Sequence, residues 1–139
     1  MEIIAVATQT VAENQNVLFT DSVTSGNCSV DHRTGSGLVN LRGNTTQCRA
    51  RYKVSFGGNI AVPTGGTAGP ISVALSIDGE AVGASTMTVT PAAVEEYNNV
   101  FGALFIDVPK GCCMTISVQN INDQSILVQN ANLIVERVA

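Results

Sequence analysis

The sequence predicts an all-β fold, an antiparallel β-sandwich. Three observations carry this. Apolar residues recur with period two in run after run, which is the pattern of half-buried strands. Gly-, Pro- and Asn-containing breaks such as HRTGSG, RGNTTQ, PTGGTAGP and NINDQ separate the runs at short intervals. No charge block, linker, internal repeat or low-complexity tract divides the 139 residues, so a single domain spanning 1–139 is expected.

The series opens with a strand at NVLFTD, followed by GLVNLRG. In RYKVSF, Tyr52, Val54 and Phe56 alternate with Arg51, Lys53 and Ser55. In PISVALSID, Ile71, Val73, Leu75 and Ile77 alternate with Ser72, Ala74, Ser76 and Asp78. Asp78-Gly79 then supplies a hairpin pair, because a type I′ turn needs positive φ at both central residues. TMTVT places Met87 and Val89 on one side. TPAAVEEYNNVF has a Thr-Pro start signal and good helix formers, so one helical turn with Val94 and Tyr97 on a shared face is expected there. LFIDV puts Leu104, Ile106 and Val108 together, and CMTISV does the same for Met114, Ile116 and Val118. In the closing ANLIVERVA, Leu133 and Val135 take one side while Ile134 and Val138 take the other. A strand apolar on both faces is expected to be covered on both. Eight to ten short strands result, the pattern of a sandwich or barrel.

Composition narrows the function classes. Apolar residues make up 45% and charged residues 13%, about half the usual charged share, which excludes a disordered chain. Low charge also suits a surface partly covered by other subunits, since interface cores are depleted of charge. Arg49, Arg51 and Lys53 share one strand face. With a net charge of −4 they read as a solvated face rather than a nucleic-acid site. Aromatics are 4% with no Trp, which leaves base- and sugar-stacking platforms poorly supplied. No apolar stretch is long enough for a helical membrane span. MEIIAVATQT lacks a basic n-region, so no signal peptide is expected and the chain is read as made in the cytoplasm.

Catalytic sets are equally sparse. The alternation places Cys112 with Met114 and Ile116 and Cys113 with Thr115 and Ser117, so the doublet straddles its strand. That is poor geometry for one ion, and zinc ligands are usually spaced by two to four residues. Packing as small hydrophobes is the main reading. A disulfide among Cys28, Cys48, Cys112 and Cys113 stays open, with three possible pairings. His32, the sole histidine, sits in VDHRTG and reads as a solvated turn residue. Glu95 and Glu96 are sequence neighbours, whereas paired catalytic carboxylates flank a bond from opposite sides. PTGGTAGP lacks the Gly-Lys-Ser/Thr ending of a phosphate loop. No enzyme, no cofactor and no metal site is expected.

Laid end to end, NVLFTD, GLVNLRG, CRARYKVSFGGNIAV, GPISVALSIDGEAV, NVFGALFIDVPKGCCMTISVQN and ANLIVERVA resemble the jelly-roll domains of the tumour-necrosis-factor and complement-globular-head superfamily. RYKVSF as a core strand and PKGCCMTISVQN as a strand introduced by a Pro/Gly turn carry the resemblance most directly. It spans nearly the whole chain and implies a jelly roll assembled as a homotrimer around a three-fold axis. Tyr52, Val54, Phe56, Leu133, Ile134, Val135 and Val138 are then the candidate core or subunit-interface residues. A jelly roll with no collagen-like stalk, signal or anchor is similar to a bacteriophage virion part. The expected role is a capsid decoration or head-fibre protein, located in the virion, whose partners are itself and a capsid or other virion protein. The alternative is a receptor- or glycan-binding module of a fibre tip or bacterial surface, with Tyr97, Glu95 and Glu96 as the candidates for contacting a host-surface glycan.

Overall fold

The computed structural model describes residues 1–111 and 113–139. Among them are twelve strands: β1 Glu2–Ala5, β2 Gln9–Val11, β3 Asp21–Thr24, β4 Val30–His32, β5 Val39–Arg42, β6 Arg49–Ala61, β7 Ile71–Ile77, β8 Glu80–Ala81, β9 Met87–Val89, β10 Asn98–Pro109, β11 Cys113–Asn120 and β12 Ile126–Arg137. They form two six-stranded sheets. The first runs β10-β6-β12-β1-β3, with β2 also paired to β12. The second runs β4-β5-β11-β7-β8, with β9 also paired to β7. Every strand pairing within the two sheets is antiparallel.

The period-two pattern builds the core between the sheets. Tyr52, Val54 and Phe56 of β6 and Leu133 and Val135 of β12 point inward from the first sheet. Leu41, Ile71, Val73, Ile116 and Val118 meet them from the second, all essentially inaccessible to solvent. The Phe19 and Phe56 rings meet edge to face with centroids 6.5 Å apart. Tyr52 also ties the sheets through its polar end. Its hydroxyl donates to Arg42 O at 2.6 Å and lies 3.3 Å from Ser29 O, both on the β4–β5 side. Tyr52→Phe should therefore cost about 1 kcal/mol in denaturant unfolding, the net worth of a typical hydrogen bond.

One buried polar residue closes the end of the sandwich. Asn120 is fully buried, and its amide nitrogen donates to Val11 O, Ala12 O and Gln124 O. Its amide oxygen accepts from the Asn122 backbone and side chain. The residue joins the β11–β12 turn to the segment after β2. Asn120→Ala strands several buried polar groups at about 1–3 kcal/mol each. A loss of roughly 3 kcal/mol, seen as a Tm drop of roughly 10 °C, is expected by calorimetry.

Several sequence expectations are corrected. The strands outnumber the eight to ten expected, because the three- and four-residue strands β1 to β4 lie mostly in segments not read as strands, while NVLFTD, read as the opening strand, contributes only Asp21 to β3. The helical turn expected in TPAAVEEYNNVF does not form. Residues 91–97 are bends and turns, with Glu95 at φ 58°, a left-handed conformation that breaks a helix. His32 is partly buried rather than solvated. Its Nε2 lies 2.7 Å from Ser36 O, its ring packs edge-on to Phe19, and Nδ1 is buried without a hydrogen-bond partner among the described residues. Asp78 and Gly79 take φ of 52° and 87°, the paired positive values expected of the β7–β8 hairpin turn. Cys113 is exposed at the start of β11, whereas the expectation for Cys112 falls outside the described residues. No helix among the described residues is long and apolar enough to cross a membrane.

Candidate functional site

The outer face of the first sheet holds the unusual surface. Strand registers place its outward side chains in rows. Phe105 lies beside Lys53 and then Glu136. Ala103 lies beside Ser55, Ile134 and Glu2. Phe101 lies beside Gly57, Asn132 and Ile4. Asn99, Asn59 and Gln129 form the next row. The face therefore carries an apolar belt between a charged band and an amide band. Phe101 is 68% exposed and Phe105 62%, although both sit mid-strand where an aromatic ring normally gains from burial. The Phe101 ring leans over Gly57, where an added Cβ would stand 3.7 Å from its Cδ2. Glycine thus leaves a flat centre that an aromatic ring can cross.

Beside the belt, Asp107 accepts from Arg51 Nε at 2.8 Å and Nη2 at 3.1 Å, with Arg49 3.5 Å away. These bonds, the Arg51 one foremost, hold the Asp107 carboxyl below its ordinary pKa. Asp31, on the second sheet, is lowered likewise by its hydrogen bonds from Asn40 and Arg42. With folded values below unfolded ones, both contributions are present above the unfolded carboxylate range and fade as pH falls through the folded values. Arg49 and Arg51 are thus engaged with a carboxylate within the chain.

At the other side of the same face, the ends of β1 and β12 and the loop after β3 frame a groove of about 380 Å³. Met1, Thr24, Val30, Ile134 and Glu136 help to line it.

The sequence candidates divide between the two sides of the sheet. Tyr52, Val54, Phe56, Leu133 and Val135 belong to the core of the single chain. Ile134 faces outward at 39% exposure, and Val138, 42% exposed, lies beyond the end of β12, its N–H bonded to Arg51 O. Within one chain the closing strand is covered on one face only. Sequence reasoning missed Phe101 and Phe105. Their signal was present in NVFGALF, which is apolar at both parities of the alternation. Tyr97 is partly buried, and Glu95 and Glu96 are exposed in the turn before β10. Among the described residues no group of three or more His, Cys, Asp or Glu side chains is placed to hold a metal ion.

Comparison with known proteins defines the fold. No protein-family model matches the chain, and no curated protein sequence matches it. The fold is that of the tumour-necrosis-factor and complement-globular-head jelly rolls. The globular domain of zebrafish complement 1qA protein superposes with a TM-score of 0.59 at 13% identity, over 96% of this chain and 93% of that one. Murine APRIL superposes with a TM-score of 0.56 at 10% identity, over 95% of each chain.

Proposed function

We propose that this protein is a non-enzymatic assembly module, a homotrimer built through the outer face of its first sheet. The observation that carries the reading is the exposed Phe101–Ala103–Phe105 strip on β10. Monomers rarely leave such aromatic patches uncovered, and interface centres are enriched in them. The face also carries both signs of charge, Lys53 on β6 and Glu136 and Glu2 on β12 and β1, so it can complement a second copy of itself. The aromatic strip lies on β10 at one edge of the sheet, and the groove lies near β1 and β3 at the other. One copy cannot fill its own groove with its own strip. If the strip of each copy enters the groove of the next, the contact is head-to-tail, an arrangement that closes rings when the rotation allows. Light scattering on a sizing column tests this directly. A mass three times the 14.4 kDa chain is expected, and a monomer at micromolar concentration would overturn the proposal.

The narrower role we propose is structural, dressing a virion shell as a capsid decoration or head-fibre protein. Support comes from the resemblance of a compact, weakly charged jelly roll to such parts. Co-sedimentation with purified capsids tests it, and persistent failure to bind would remove the virion role while leaving the trimer standing.

A further inference from the structure

We infer that Cys28 and Cys48 are a disulfide-forming pair at one pole of the sandwich, closed by exchange with a low-molecular-weight disulfide of the glutathione type. The two are 20 positions apart in sequence, yet the fold brings their loops to one place. The Arg42 N–H bond to Ser29 O extends the β4–β5 ladder towards Cys28. The Cys28 carbonyl is then clamped from that side by two donors, Arg42 Nη1 at 3.1 Å and Asn44 Nδ2 at 2.9 Å. Asn44 begins the short loop that ends at Cys48. Both ends of this loop are fastened to the same turn after β10. Gly111 N–H donates to Gly43 O at 3.1 Å, and Lys110 N–H donates to Cys48 O at 3.0 Å. Gly43 permits this close approach, because a Cβ there would lie 2.0 Å from Pro109 O.

Both cysteines are exposed, and both sit in loops rather than mid-strand, so reagents reach them and the backbone can adjust. An open groove of about 250 Å³, lined by Cys48, Arg49, Asp107 and Pro109, gives a small disulfide room beside Cys48.

The chemistry balances as two exchanges. The Cys48 thiolate attacks the reagent disulfide, forming a mixed disulfide and expelling one reagent thiolate. The Cys28 thiolate then attacks the Cys48 sulfur, forming the Cys28–Cys48 bond and expelling the second. Two protein thiols are oxidised, one reagent disulfide is reduced to two thiols, and the two protons lost by the protein thiols end on the two reagent thiols.

The test uses the full chain, reduced and then treated with oxidised glutathione. Trypsin places Cys28 in peptide 1–33, Cys48 in 43–49 and the remaining cysteines in 111–137. Non-reducing peptide mapping should join 1–33 to 43–49, and the intact mass should fall by two hydrogens. In Cys28→Ser, glutathione should remain attached to Cys48. Glutathione retained on both cysteines of the wild type, a link from either peptide to 111–137 instead, or no reaction would overturn the pairing.

Discussion

Replacing Phe101 and Phe105 together by glutamate is expected to turn the oligomer into monomers without unfolding the chain. Both rings are more than half exposed in the single chain, so the folded protomer loses little when they go. An assembly that buries them in the neighbouring copy's groove loses two aromatic anchors and gains carboxylates against the Glu2 and Glu136 that line it. Central aromatic anchors cost about 2 kcal/mol or more each when removed. Buried, unpaired carboxylates add a further desolvation penalty. Several kcal/mol in total is a shift of several decades in association constant. The expected readout is a native mass of one chain with an unchanged far-ultraviolet dichroism spectrum. A variant that remains trimeric would place the interface elsewhere.

Val135→Asp should act on folding instead. Val135 is 1% exposed, pairs with Val54 across β12 and β6, and donates its N–H to Met1 O at 2.8 Å. A carboxylate there would enter the apolar cluster that holds Tyr52, Val54 and Leu133. Its burial costs several kcal/mol, a large part of the 5–15 kcal/mol that holds an ordinary domain together. We expect loss of soluble folded protein, or a cooperative transition lowered by roughly 15 °C or more. A variant melting at the wild-type temperature would show that Val135 is not in the core. The two substitutions differ by design, since the first changes mass and spares the fold while the second removes the fold itself.

The fold was largely legible because the alternation in RYKVSF, PISVALSI and CMTISV is set by local sterics and survives in the strands they form. The site was only half legible. Period two separates a strand into two sides, but it does not say which side meets the opposing sheet. For β6 and β12 the apolar side is the core, and the sequence candidates Tyr52, Val54, Phe56, Leu133 and Val135 lie there. For β10 both sides are apolar until Asp107. Reading LFIDV as Leu104, Ile106 and Val108 selected the inner set and passed over Phe101 and Phe105. His32 was misjudged for a similar reason. Its neighbours Asp31 and Arg33 signal a turn, while the contact that half-buries it comes from Phe19, thirteen positions earlier.

The position of β12 also constrains how the chain can reach this structure. The strand formed from residues 126–137 is central in the first sheet, and β1, formed from residues 2–5, reaches β6 only through it. β1 can pair locally with β3, but that pair has no hydrogen-bonded link to β6 until a strand more than 120 positions later is available. Such non-local pairing must pay its loop-closure cost before contacts repay it, which places folding among the slower small domains, on the millisecond-to-second scale. During synthesis β6 and β10 can form a long antiparallel pair, across the segment that holds β7 to β9, while their inner faces remain uncovered. That interval, with Val54, Phe56 and Ile106 still in water, is when the chain is most exposed to aggregation.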